Sequence, residues 1–254
     1  MSDYVFFNVE LPSKCLAYPG VDPTKIKIRT LKGEDEKLIS EISSDNFDKK
    51  YNIVLSRVLQ GIDPLKLTLG DRFFLVLWES INSYSKDFTV EHECEHCWQK
   101  SSHTVDLSKL EKIELPDGYK EPCEIKLPKS GTDIKLRLLT VGDLLEIDAA
   151  EKMNQNTWLY RAALSIVADK KPLSDRLEYM GRLDSQDVEY IRGFQEAFEH
   201  GVKMRTGYTC PKCGGVGEMP VPFRFEFLLP YGEVLKRRVG DAIRSYVLSP
   251  HVNK

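Results

Sequence analysis

Two C-x-x-C pairs, Cys94-Glu95-His96-Cys97 and Cys210-Pro211-Lys212-Cys213, are the residues of this 254-residue chain best suited to chemistry. Two cysteines at a tight turn aim their sulfurs to one side, and two such turns together supply the tetrahedral four-thiolate set that zinc prefers. Each pair alone is half a site. The expected ligands are therefore Cys94, Cys97, Cys210 and Cys213, closing on a structural Zn2+. An iron–sulfur cluster would accept the same four thiolates, but nothing in the sequence supplies it with a redox partner, so zinc ranks ahead. His92, His96 and His103 flank the first pair and leave open a site of Cys94, Cys97, His103 and a fourth ligand, although no histidine matches it after the second pair. A redox dithiol would sit at a helix N-terminus, where the dipole lowers the thiol pKa. Here Cys213 runs instead into Gly214-Gly215 and the strand-like EMPVPFRFEF. Cys15 and Cys123 read as small buried or half-buried residues.

The elements that must bring the two pairs together are written twice along the chain. Leu11-Pro12 and Leu127-Pro128 lie 116 residues apart, as do Cys94 and Cys210. IKIRTLKGED from Ile26 matches IKLRLLTVGD from Ile134, YNIVLSRVLQGI from Tyr51 matches NTWLYRAALSIV from Asn156, and LTLGDRFFL from Leu67 matches LDSQDVEYI from Leu183. Duplication matters because it decides which residues can meet in space. Each copy predicts a strand pair around Leu-Pro and the I-K-[IL]-R run, with turn residues between. Helices then start near Gly33-Glu34-Asp35 and Gly142-Asp143, with acidic groups in the first turn where the dipole favours them. Further helices carry apolar residues at helical spacing, such as Ile53, Val54, Val58 and Leu59, or Phe73, Phe74, Leu77 and Trp78. One short strand enters each C-x-x-C turn and another leaves it. The second copy has extra residues around Leu173 to Arg182. The chain closes with an amphipathic helix carrying Val234, Leu235, Val239, Ile243, Tyr246 and Val247, read as packing within the chain.

The predicted fold class is thus α+β: two tandem hairpin–helices–CxxC units joined by a zinc-ribbon-like four-cysteine site. The first repeat spans 1–112, the second 113–230, and the terminal helix 231–254. If the units pack about a pseudo-two-fold axis, Cys94 and Cys97 meet Cys210 and Cys213, and each repeat has reason to keep two ligands.

Composition narrows the function. Lys and Arg number 36 against 39 Asp and Glu, so no net basic field gathers nucleic acid. The most concentrated apolar run, Phe73 to Trp78, is too short to span a bilayer, and the N-terminus lacks the basic flank and apolar stretch of a signal peptide. A soluble chain made in a cytoplasm is expected. No G-x-x-x-x-G-K-[ST], G-x-S-x-G or H-E-x-x-H motif occurs. A metal closed by four thiolates has no open position for catalysis, so a non-enzymatic protein is expected.

Leu11-Pro12-Ser13-Lys14, the IKIRTLKGEDE segment, GDRFFLVLWESINSYS and the following C-x-x-C together resemble the T-even-like bacteriophage baseplate hub family. The resemblance rests on Leu11 to Lys14, Arg29, Glu34 to Glu36, Asp71, Ser83-Tyr84, Cys94 and Cys97, repeated by Leu127-Pro128, Arg137, Asp143, Asp187, Cys210 and Cys213. Cys15, Ser85 and Trp98 stand where the family pattern places glycine. The resemblance implies a structural or assembly component of a contractile tail's baseplate hub. Its partners would be other hub or tail proteins, with self-association allowed and neither membrane nor nucleic acid involved. It would reside in the host cytoplasm during assembly and in the virion tail baseplate afterwards. The rival reading is a zinc-ribbon nucleic-acid-binding or transcription accessory protein, which the acidic residues of EHECEHCWQK disfavour.

Overall fold

The computed structural model describes residues 4–43, 45–153, 156–168 and 172–222; the helix expected over 231–254 lies outside them. Strand β1 (Phe7–Asn8) pairs antiparallel with β2 (Lys27–Ile28), Phe7 opposite Ile28. Leu11-Pro12, expected beside a strand, forms a buried turn in the connection between them. Proline has no N–H for a ladder, and the next amide, Ser13 N, donates to Asp71 Oδ1 at 2.9 Å.

Helix α1 (Gly33–Ile39) starts where Asp35 accepts from Lys32 N at 2.9 Å, satisfying an amide outside the helical ladder. Helix α2 (Phe47–Val58) buries Tyr51, Val54, Leu55 and Val58, an i, i+3, i+4, i+7 stripe. Ile53, expected on that stripe, faces outward. Leu59, expected in the helix, opens β3 (Leu59–Gln60), which pairs with β2 through Ile28. Gly61 forces the change: its φ is +91°, and any Cβ there would collide with the Lys25 carbonyl. Helix α3 (Leu69–Ser83) is capped by Thr68, whose Oγ1 accepts from Asp71 N at 3.3 Å. Strands β4 (Asp87–Glu93) and β5 (Lys100–Asp106) then form a hairpin, in register from Asp87↔Asp106 to Glu93↔Lys100, with the first C-x-x-C at its tip.

After the short β6 (Lys112–Ile113), strands β7 (Cys123–Lys126) and β8 (Asp133–Leu136) pair with Ile125 opposite Ile134. Leu136 also bridges to Ile166, so β8 is flanked on both sides, as β2 is. Helix α4 (Val141–Lys152) is capped by Thr140 and Asp143, and α5 (Thr157–Ser165) follows. The extra residues form α6 (Leu173–Arg182), and α7 (Ser185–Ala197) leads to β9 (Gly201–Val202), which pairs with β6. Strands β10 (Arg205–Thr209) and β11 (Val216–Pro220) carry the second C-x-x-C between them. The architecture is α+β, helices with small antiparallel sheets.

The same contacts recur at the repeated positions. Arg29 Nη1 meets Asp35 Oδ2 at 2.7 Å and also donates to Thr30 O; Arg137 Nη1 meets Asp143 Oδ2 at 2.6 Å and also donates to Leu138 O. Asp187 accepts from Lys129 N and Ser130 N at 2.8 and 3.0 Å, 116 residues beyond the place where Asp71 accepts from Ser13 N. Among the described residues, a large apolar core takes in Leu11, Ile28, Tyr51, Leu75, Leu136, Ala163 and Ile191. A smaller one forms around the cysteine hairpins from Leu77, Val90, Cys94, Val105, Leu107, Tyr208, Cys210 and Met219. Helix α3 lies between them, giving Leu75 and Val76 to the first and Leu77 to the second.

Candidate metal centre

Each C-x-x-C turn is built by the same backbone bonds. Cys94 N donates to Gln99 O and Trp98 N to Cys94 O, at 3.1 and 2.8 Å; Cys210 N donates to Gly215 O and Gly214 N to Cys210 O, at 2.8 and 2.9 Å. Both turns need a left-handed residue directly after the second cysteine. Gly214 supplies it at φ +73° without steric cost, whereas Trp98 takes φ +57°, which for a residue with a Cβ costs roughly 1–2 kcal/mol.

The two turns face each other. Cys94 Sγ lies 3.8 Å from Cys213 Sγ, Cys97 Sγ lies 3.8 Å from Cys210 Sγ, and all four sulfurs fall within 4.8 Å of one another. All four are free thiols. A tetrahedron with metal–sulfur bonds of about 2.3 Å has sulfur–sulfur edges of about 3.8 Å, so these cysteines could hold a metal ion with little movement. Cys94 and Cys210 are buried, Cys97 is half-buried and Cys213 is exposed.

The surroundings favour thiolate at Cys94 and Cys210. His96 N donates to Cys94 Sγ and Gly215 N to Cys213 Sγ, each at 3.4 Å, and the Tyr208 hydroxyl donates to Cys94 Sγ at 3.7 Å. Burial opposes ionisation of Cys94, but the amides of His96 and Cys97 with the Tyr208 hydroxyl outweigh it and bring the thiol down to about 6. Cys210 is lowered as well, first by the amides of Cys213 and Lys212. Against the pull of the Gln99 amide, burial and the three neighbouring thiols push Cys97 up to about 12. The set therefore gives up its protons in separate steps, and a bound cation would relieve the repulsion that resists the last of them.

The flanking histidines have other occupations. His96 Nε2 donates to Val216 O at 3.1 Å, tying one turn to the other hairpin. His103 Nε2 lies 2.9 Å from Ser101 Oγ. His92 and His103 both pack edge-on against the Tyr208 ring, at centroid distances of 4.5 and 5.4 Å. Among the described residues, the group that could hold a metal is the four cysteines. Tyr208 was not anticipated from sequence. Its signal was its place two residues before Cys210 on a strand, which puts both on one face. Of the leftover cysteines, Cys15 is buried and Cys123 half-buried.

None of the described helices is long and apolar enough to cross a membrane. No curated protein and no solved structure matches the chain. A family model described as T4 bacteriophage base plate protein matches residues 5–226. That match spans both cysteine turns and every helix described above, and the chain belongs to this family of phage baseplate proteins.

Proposed function

We propose that this chain is a non-enzymatic component of a phage baseplate hub, in which a structural Zn2+ on Cys94, Cys97, Cys210 and Cys213 holds two copies of one folding unit together. The units are residues 1–112 and 113–230. The observation that carries this reading is the cysteine geometry. A two-fold relation that exchanges Cys94 with Cys210 and Cys97 with Cys213 requires the 94–213 and 97–210 separations to be equal, and both are 3.8 Å. His92 and Tyr208, also 116 residues apart, pack against each other, as equivalent residues close to such an axis can. Zinc is favoured because four thiolates suit it and nothing near them passes electrons. The closed set leaves no coordination position for substrate. Function then lies in adhesion to other hub or tail proteins, during assembly in the host cytoplasm and in the finished baseplate, without nucleic acid.

Two measurements test the two parts. Elemental analysis of the purified chain should find about one zinc and no iron per molecule, lost in Cys94→Ser and Cys210→Ser; metal-free wild-type protein would overturn the site. A phage lacking this chain should fail to complete baseplates, and normal infectious particles in its absence would overturn the baseplate role.

A further inference from the structure

Trp98 is among the most exposed large apolar residues of the described chain, at 71%, and it occupies a left-handed backbone position, φ +57°. The corresponding position of the other turn, Gly214, holds that conformation at no steric cost. A glycine at 98 would build the turn better, and the indole recovers little of the strain by burial within the chain. Strain and exposure at one residue point to a use of the side chain outside the fold. Two residues before it, His96 is held by the Val216 carbonyl, and Val216 is itself 70% exposed. The hairpin that carries Trp98 is acidic: Glu91, Glu93 and Glu95 are exposed, with Lys100 opposite Glu93; Lys212 lies on the facing turn. Glu91 and Glu93 share one face of β4 because strand residues two apart do.

We propose that Trp98 is the anchor of a protein-docking surface at the tip of the paired hairpins, and that its partner is a tail protein presenting an apolar pocket rimmed by Arg or Lys. Tryptophan in a desolvated pocket is a frequent source of binding energy at interfaces, and the carboxylates steer a basic partner and fix its register. The tail identity of the partner rests on the baseplate reading; the docking surface itself does not.

The test supplies variants from a plasmid to a phage deleted for this chain. Trp98→Gly should keep its zinc and melt no lower than wild type, yet reduce infectious titre at least tenfold, while Trp98→Phe stays within about threefold. Glu91→Lys, Glu93→Lys and Glu95→Lys combined should reduce titre as Trp98→Gly does. A benzoylphenylalanine placed at 98 should cross-link, in infected cells, to a tail protein through a basic segment. Full titre with Trp98→Gly, where the deletion alone yields none, overturns the docking surface and leaves the baseplate role standing. Loss of zinc or of thermal stability in Trp98→Gly makes the indole part of the fold and overturns the proposal, as does cross-linking to nucleic acid. Normal particles from the deletion strike the baseplate role instead.

Discussion

Glu79 is the residue whose chemistry is most at odds with its surroundings. Its side chain is fully buried on α3, where Oε2 accepts from the Ser83 hydroxyl at 3.0 Å while Oε1 has no partner among the described groups. Burial raises its carboxyl to about 8, against the opposing pull of Ser83 and Arg29. An acid whose folded pKa lies above its unfolded value binds its proton more tightly when folded. Its contribution to stability is complete below about pH 4.3 and is lost as pH rises through about 8. Glu79→Gln cannot ionise, so the variant should gain on wild type by roughly 1.4 kcal/mol per pH unit across that window. Denaturant melts at several pH values check this, and parallel profiles for the two proteins would show that Glu79 is charged in the fold. No motif marked Glu79, because burial of a lone carboxylate depends on how α2 and α3 pack, which periodicity does not reveal.

At the scale of elements, each pair of repeated segments uses one arginine–aspartate clamp to fix a strand end against the start of a helix, but the two clamps differ in burial. Arg29 and Asp35 side chains are 4% and 1% exposed, Arg137 and Asp143 26% and 7%. Removing one partner of a buried pair leaves an uncompensated charge and typically costs 3–5 kcal/mol, with less lost where water reaches the survivor. Asp35→Ala should therefore destabilise more than Asp143→Ala, measurable as the difference in urea midpoint at constant slope. The reverse order would mean that local burial does not set the cost. The repeated positions of Arg and Asp were legible in IKIRTLKGED and IKLRLLTVGD, but their pairing was not: the acidic groups read only as first-turn residues placed by the helix dipole. The cysteine turns were legible because spacing encodes ligand geometry directly. Less legible were the two-residue strands β1, β2 and β3, too short for alternation to register, and the end of α2, which Gly61 decides through a contact with Lys25 far away in sequence. Trp98 in a glycine's conformation was marked only by its standing where the family pattern places glycine; its own residue type points the other way.

Among the described residues three apolar clusters of unequal size hold the fold, the smallest formed by Leu139, Ile147 and Leu164, and this decides what metal loss should do. The large core carries helices from early and late in the chain, while the hairpin core is small and includes Cys94 and Cys210, with Cys97 packed against it. Segments far apart in sequence are also joined away from the cysteines. His200 Nδ1 donates to Phe198 O at 3.0 Å, and its Nε2 meets the Thr68 hydroxyl at 2.6 Å, at the start of α3. Tyr18 donates to Asp71 at 2.5 Å in the same buried group. Gly70 lies so close to the His200 carbonyl that a Cβ would collide with it. These contacts do not depend on thiolates. Hairpins with few apolar side chains are marginal on their own, so if zinc is bound it supplies much of their stability, whereas α2 stays protected by the larger core and α4 by Val141 in that core and Ile147 in the third cluster. Stripping metal with a chelator under reducing conditions should therefore speed amide exchange across Asp87–Asp106 and Arg205–Pro220 while leaving Tyr51 to Val58 and Val141 to Ala150 slow. Uniform acceleration throughout would mean that the clusters unfold as one unit. No change anywhere would mean that the hairpins hold without a metal, and the cysteine set would then lose its structural role.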